Sequence, residues 1–138
     1  MFQHETNLRV RYAETDQMGF VYYGQYATYF EVARVEALRS INCTYRALED
    51  SGVWMPVTEF QITYRKPALY DEELRILTRI AELPGVRIRF EYTTFNPEGV
   101  LLNEAFTELV FLDAQSRRVR KAPEMLLAAL KPYFQDGI

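Results

Sequence analysis

The sequence predicts an α+β fold in which one long helix packs against a single curved antiparallel sheet of about five strands. Three patterns predict it. A helical period runs from Tyr22 to Ile41. A chain of period-two segments follows from Val53 onward. The turns between those segments are too short for anything but antiparallel pairing.

Asn7 to Tyr12 sets Leu8, Val10 and Tyr12 against Arg9 and Arg11, the alternation of a half-buried strand. The segment Ala13 to Gly19 breaks that pattern, and Asp16-Gln17-Met18-Gly19 suits a type I turn with Asp first and Gly last. Tyr26, Phe30, Ala33, Ala37 and Ile41 then make an apolar stripe on a helix that Asn42 stops. The small residues Ala27, Ala33 and Ala37 allow close packing against that helix. Tyr45 to Asp50 adds a further helical turn or two, ended by Ser51-Gly52.

Four longer strands follow. Phe60, Ile62 and Tyr64 alternate with polar neighbours until Pro67. Leu74, Ile76, Thr78 and Ile80 share one face of the next strand, and Pro84-Gly85 turns the chain into Val86, Ile88, Phe90 and Tyr92. Asn96-Pro97-Glu98-Gly99 marks another hairpin. Val100 to Leu112 is apolar on both faces, as a doubly covered strand would be. After the basic stretch 117–121, Pro123 opens a terminal helix to about Tyr133. One sheet around one helix leaves a face or its edges uncovered, and oligomerisation is the expected remedy.

The 138 residues suit one domain spanning 1–138, and 49% hydrophobic residues suffice for a core. A net charge of -3 provides no general attraction to nucleic acid or anionic lipid. Cys43 is the single cysteine, which excludes an internal disulfide framework or a multi-cysteine metal site and fits a reducing, cytoplasmic setting. It reads as a small buried hydrophobe. The N-terminus has no apolar h-region, and no apolar run is long enough for a membrane span. His4 is the single histidine, in a terminus expected to be mobile, so chemistry requiring two histidines is excluded. Phosphate-cradling and dinucleotide-binding glycine motifs are absent. No metal and no cofactor are expected.

The informative junction is Tyr12 to Tyr26, where Glu14 and Asp16 precede the long helix. A helix N-terminus presents unpaired N–H groups and partial positive charge, so it can receive a developing oxyanion. A carboxylate beside it can act as general base or nucleophile toward a carbonyl held there. The plainer reading makes Asp16 a turn or capping residue and Glu14 a solvated loop charge.

The run from Val10 to Tyr23, with its T-D-x-x-G-x-V-Y core, followed by Tyr26, Tyr29-Phe30-Glu31 and Ala33-Arg34, resembles the hot-dog-fold acyl-CoA thioesterases. The branch it resembles contains 4-hydroxybenzoyl-CoA thioesterase and the Tol-Pal-associated thioesterases. The likeness extends to Tyr64 through Glu72 and to Ala122-Pro123-Glu124. It implies a hot-dog domain that hydrolyses an acyl-CoA thioester, with coenzyme A arriving as part of the substrate. It implies active sites between the subunits of a homodimer or homotetramer. Asp16 matches the family's catalytic carboxylate, as base or nucleophile. Tyr23 matches the helix-start position whose backbone N–H polarises the carbonyl; the Tol-Pal-associated branch commonly has histidine there. Gly19 matches the motif's turn glycine. Tyr12 matches an aromatic position that can touch the acyl group, though a core strand residue fits equally well.

Of the remaining candidates, Arg118 with Arg117, Arg120 and Lys121, or Lys66 with Arg65, can meet coenzyme A phosphates, since guanidinium forks suit phosphate oxygens. A solvated hairpin is the competing reading of the first group. Tyr22, Tyr23, Tyr26 and Tyr29 can line an acyl pocket or belong to the core or a subunit interface. An acyl-carrier-protein thioesterase and a catalytically silent acyl-thioester-binding dimer are the alternative functions.

Overall fold

A computed structural model describes residues 1–135. Five strands form one antiparallel sheet in the order β1-β4-β5-β6-β3: β1 (Phe2–Arg9), β4 (Glu73–Ile80), β5 (Arg87–Phe95), β6 (Leu101–Val110) and β3 (Val57–Tyr64). A long helix, α1 (Gln25–Arg39), packs against its inner face, and the short α2 (Tyr45–Asp50) follows. A two-stranded ladder joins β2 (Val53–Trp54) to β7 (Leu112–Asp113), and α3 (Glu124–Leu130) closes the chain. This is the hot-dog fold: a helix wrapped by one curved sheet.

Helix α1 buries Tyr26, Phe30, Ala33 and Ala37, as the apolar stripe requires, and adds Tyr29, Arg34 and Leu38. Phe30 stacks on Tyr92 of β5 with centroids 4.4 Å apart. The inward rows of β4 and β5, namely Leu74, Ile76 and Ile80 with Ile88, Phe90 and Tyr92, are essentially inaccessible. Burial at that scale contributes roughly 1.5–3 kcal/mol per large apolar side chain before the entropic cost. Cys43 is buried as expected. Among the described residues, no helix is long and apolar enough to cross a membrane.

Several expectations need correction. The first strand is Phe2–Arg9 rather than 7–12, and the chain makes a 3₁₀ turn over Tyr12–Glu14. Its inward positions include the polar His4 and Thr6, which disguised the alternation. His4 therefore sits in a paired strand opposite Thr78, with the terminal amine donating to the Tyr133 carbonyl at 2.7 Å. The long helix spans Gln25–Arg39, not 22–41, because Tyr22 and Tyr23 form a turn capped at Gly24. Asn42 does turn the chain, at φ +59°. Pro123 is the N-cap of α3 instead of its first residue. Val100–Leu112 is interrupted after Val110, and Leu112 leaves to pair with Trp54. Strand β3 stands at one sheet edge and is exposed or half-exposed along its whole length.

Candidate active site

Three segments converge on one cleft of about 330 Å³. The loop before α1 contributes Asp16, Phe20 and Val21, and the helix start contributes Tyr23 and Tyr26. The end of β3 and the residues after it contribute Tyr64, Arg65, Lys66 and Pro67. Backbone pairing explains the convergence. Phe20 bridges Leu69 in antiparallel fashion, Val21 N–H donates to the Ala68 carbonyl at 2.9 Å, and Tyr70 N–H donates to Gly19 at 3.3 Å. On the other side, the Leu102 carbonyl accepts from both Arg65 (2.7 Å) and Lys66 (3.0 Å).

Asp16 heads the turn that its sequence predicts. Gly19 N–H donates to the Asp16 carbonyl at 3.0 Å, and Gly19 takes φ +80°, where a Cβ is disfavoured. The side chain anchors the same turn: Asp16 Oδ1 accepts from Met18 N–H at 2.9 Å and Phe20 N–H at 3.2 Å. Its Oδ2 makes no hydrogen bond among the described residues. The capping reading and the catalytic reading are therefore compatible, since one oxygen holds the loop and the other is left to act.

The helix start supplies the electropositive end. Gln25 and Tyr26 donate to the Tyr22 and Tyr23 carbonyls, closing the first turn. Among the described residues, the Tyr23 and Gly24 N–H groups donate to no backbone carbonyl. The wall of the cleft is aromatic. Tyr26 packs edge-on against Tyr64 with centroids 5.7 Å apart, and the Tyr64 hydroxyl reaches the Tyr23 carbonyl at 3.4 Å. Burial, the largest influence, pushes the Tyr26 phenol up to about 12, so it is neutral at physiological pH.

Glu14 is not a solvated charge. It is 6% exposed, and its carboxylate is fully engaged. Oε1 accepts from Arg11 N–H at 2.9 Å and from the Tyr29 hydroxyl at 2.8 Å, and Oε2 accepts from Arg11 Nε at 2.8 Å. Burial alone would raise its pKa, but the Arg11 backbone N–H, the Arg11 guanidinium and Tyr29 together lower it below the usual glutamate value. Its own carbonyl accepts from Tyr22 N–H at 2.9 Å. Glu14 thus clamps the loop bearing Asp16 to helix α1.

The cleft brings together Asp16, Tyr23, Tyr26 and Lys66 of the expected residues. Tyr12 is 79% exposed in the 3₁₀ turn and packs edge-on against Tyr70, which overturns the core-strand reading and places it outside this cleft. Gly19 shapes the turn without lining the cleft. Arg118 is also outside it. It lies in the tight hairpin after β7, where Asp113 accepts from the Gln115 and Ser116 N–H groups and Arg117 covers the Trp54 ring. The tyrosine group divides: Tyr26 and Tyr29 are core, whereas Tyr22 and Tyr23 form an exposed ring pair. Phe20, Val21, Tyr64 and Pro67 were not singled out as lining residues, although all lie in the two segments that carry the family likeness. Among the described residues, no group of three or more His, Cys, Asp or Glu side chains could hold a metal ion.

This helix-in-sheet architecture is that of the hot-dog-fold thioester hydrolases. The Thioesterase-like superfamily matches residues 10–130, and the chain belongs to it. Within that family, the chain is 34% identical over 124 residues to the acyl-CoA thioester hydrolase YbgC of Escherichia coli O157:H7, covering 90% of this chain and 92% of that one. A solved DHNA-CoA thioesterase from Staphylococcus aureus superposes with a TM-score of 0.86 at 29% identity, over 99% of this chain and 97% of that chain. A Thermus thermophilus structure reaches the same TM-score at 41% identity, over 94% of this chain and 96% of the other.

Proposed function

We propose that this protein hydrolyses acyl-CoA thioesters to a carboxylic acid and free coenzyme A, with Asp16 as the reacting carboxylate. The observation that carries the reading is the cleft itself. It holds a carboxylate with one oxygen anchored and one free, beside a helix start with undonated N–H groups. Water and the thioester are the reactants the overall reaction requires. The thioester carbonyl oxygen lies toward the Tyr23 and Gly24 N–H groups, which stabilise its developing negative charge. Asp16 Oδ2 either removes a proton from an attacking water or attacks the carbonyl carbon to give an anhydride that water then opens. The C–S bond breaks in both routes, and coenzyme A leaves as a thiolate that takes up a proton.

Lys66 and Arg65 line the cleft with Asp16 and, as its cationic side chains, meet the coenzyme A phosphates. The family resemblance supports the branch containing 4-hydroxybenzoyl-CoA thioesterase and the Tol-Pal-associated enzymes. Tyr23 replaces that second group's frequent histidine, so the oxyanion contact runs through the backbone. The protein works as a homodimer joined through the unpaired edge of β3, whose Val57, Phe60 and Tyr64 are exposed, with pairs of dimers forming tetramers. Tyr64 and Lys66 lie at that edge, so the partner subunit completes the cleft.

The test compares wild type with Asp16→Asn on a panel of acyl-CoA substrates, monitoring thiol release. The proposal expects turnover by wild type and at least a hundredfold loss in the variant, with acyl-CoA binding retained. Binding without turnover in wild type would favour a silent acyl-thioester binder. Faster turnover of the same acyl group on acyl-carrier protein would reassign the carrier.

A further inference from the structure

Next to the aromatic wall of the cleft lies a buried amide whose contacts, the Tyr26 phenol among them, fall outside hydrogen-bond geometry. Asn103 on β6 is fully buried, and neither its amide oxygen nor its amide nitrogen makes a hydrogen bond among the described residues. Its cross-strand neighbours are Thr94 on β5 and Tyr64 on β3. Thr94 is equally buried, and its hydroxyl is also unpartnered. Burying such groups without partners is costly. Thr78 Oγ1 on β4 is a further unpartnered atom of the same sheet, but Asn103 and Thr94 are directly paired and border a residue of the cleft, so this pair needs a reason.

The backbone is bent to put them there. Thr94 pairs with Asn103 while Phe95 pairs with Leu101, so Leu102 is an extra residue, a β-bulge. The bulge makes Leu102 and Asn103 consecutive buried residues, where a regular strand would turn one of them outward. The same Leu102 carbonyl fixes Arg65 and Lys66 of the cleft. The bulge therefore serves the cleft through the Leu102 carbonyl and places Asn103 in register with Tyr64, a lining residue of that cleft.

Between Asn103 and the cleft stand Tyr26 and Tyr64. The Asn103 amide is near enough to the Tyr26 phenol to favour its ionised form, without a hydrogen bond between them. Tyr26 is held by burial. Tyr64 is 47% exposed, sits on the edge strand and is tethered by one long hydrogen bond to Tyr23. Tyr64 is both a lining residue of the Asp16 cleft and the immediate cross-strand neighbour of Asn103.

We propose that Asn103, with Thr94, is the polar floor of the acyl pocket and selects acyl groups with a hydrogen-bonding oxygen remote from the thioester carbon. This rests on the acyl-CoA hydrolase reading above. The amide offers both a donor and an acceptor, so a hydroxyl or a keto oxygen is accommodated and a bare hydrocarbon leaves the floor unpaired.

The experiment measures kcat/KM for two matched pairs, hexanoyl-CoA against 3-hydroxyhexanoyl-CoA and phenylacetyl-CoA against 4-hydroxyphenylacetyl-CoA. Wild type, Asn103→Leu and Thr94→Val are compared, with folding checked by thermal melting. In wild type, the oxygen-bearing member of at least one pair is favoured about tenfold, mostly through KM. Asn103→Leu reduces that ratio to near one. Thr94→Val, nearly the same shape, reduces it by about threefold and stands in if the leucine variant does not fold. A wild-type ratio near one in both pairs overturns the proposal, as does a ratio unchanged in the folded variants. Absence of any hydrolysis by wild type overturns the underlying hydrolase reading instead.

Discussion

The Tyr29 hydroxyl donates to Glu14 Oε1 at 2.8 Å, joining the second turn of helix α1 to the loop that carries Asp16. The carboxylate binds Arg11 through both of its oxygens as well, so three parts of the chain meet at one buried charge. Tyr29→Phe removes the phenol and should cost about 2 kcal/mol, as a hydrogen bond to a charged group does. Because the loop is anchored there, kcat should fall more than KM rises. Chemical denaturation combined with steady-state kinetics checks both expectations.

Glu14 also sets a pH dependence. Its folded pKa lies below the usual value near 4.5, so unfolding takes up a proton at acid pH. The stabilisation is complete above the unfolded pKa and is lost as pH falls through the lower folded one. Stability should therefore decline below about pH 4.5, and Glu14→Gln should flatten that decline while lowering stability at neutral pH. Melting temperatures across pH 3 to 7 test this.

The anchoring of the loop by Asp16 is separable from the reacting role proposed for it. Asp16→Asn keeps an oxygen for the Met18 and Phe20 N–H groups, so it should melt within a degree or two of wild type while losing activity. Asp16→Ala loses both hydrogen bonds and should be about 1 kcal/mol less stable besides. Equal melting of the two variants would refute the anchoring duty.

Arg34 is 7% exposed, and its Nε donates to the Tyr45 hydroxyl at 3.0 Å. Among the described residues it forms no ion pair with a carboxylate. Tyr45→Phe strands a buried guanidinium N–H and should cost about 2 kcal/mol. Arg34→Met combined with Tyr45→Phe removes donor and acceptor together and should cost less than the sum of the single changes. A double-mutant cycle by urea denaturation measures the coupling.

The β3 edge carries the association prediction. Val57 is 45% exposed at the start of that strand, away from Asp16. Val57→Lys places a charge on the edge and should shift the protein toward monomer. Sedimentation velocity reads the change, and the proposed completion of the cleft by the partner requires activity to fall in parallel. A fully active monomer would refute the shared site.

Some of this was legible residue by residue. The stripe from Tyr26 to Ala37 declared a helix, and Tyr45 to Asp50 was read with its observed boundaries. The turn from Asp16 to Gly19 was legible because its chemistry is contained in four residues. The first strand was misplaced because its inward positions include His4 and Thr6, which break an apolar alternation without breaking the pairing. Glu14 was misjudged because the hydroxyl that buries it belongs to Tyr29, a full helix turn into another element. Asn103 was invisible, since only the pairing of β5 with β6 reveals the bulge that turns it inward.

The sequence by itself determined the element types, their order and the segment where chemistry is expected, since periodicity, turn chemistry and capping act over a few residues. Tertiary structure alone decided which side chains share a cleft, which charge is buried and which strand is left unpaired. Those outcomes depend on register between strands distant along the chain. A shift of one residue there exchanges inside for outside without altering any local pattern.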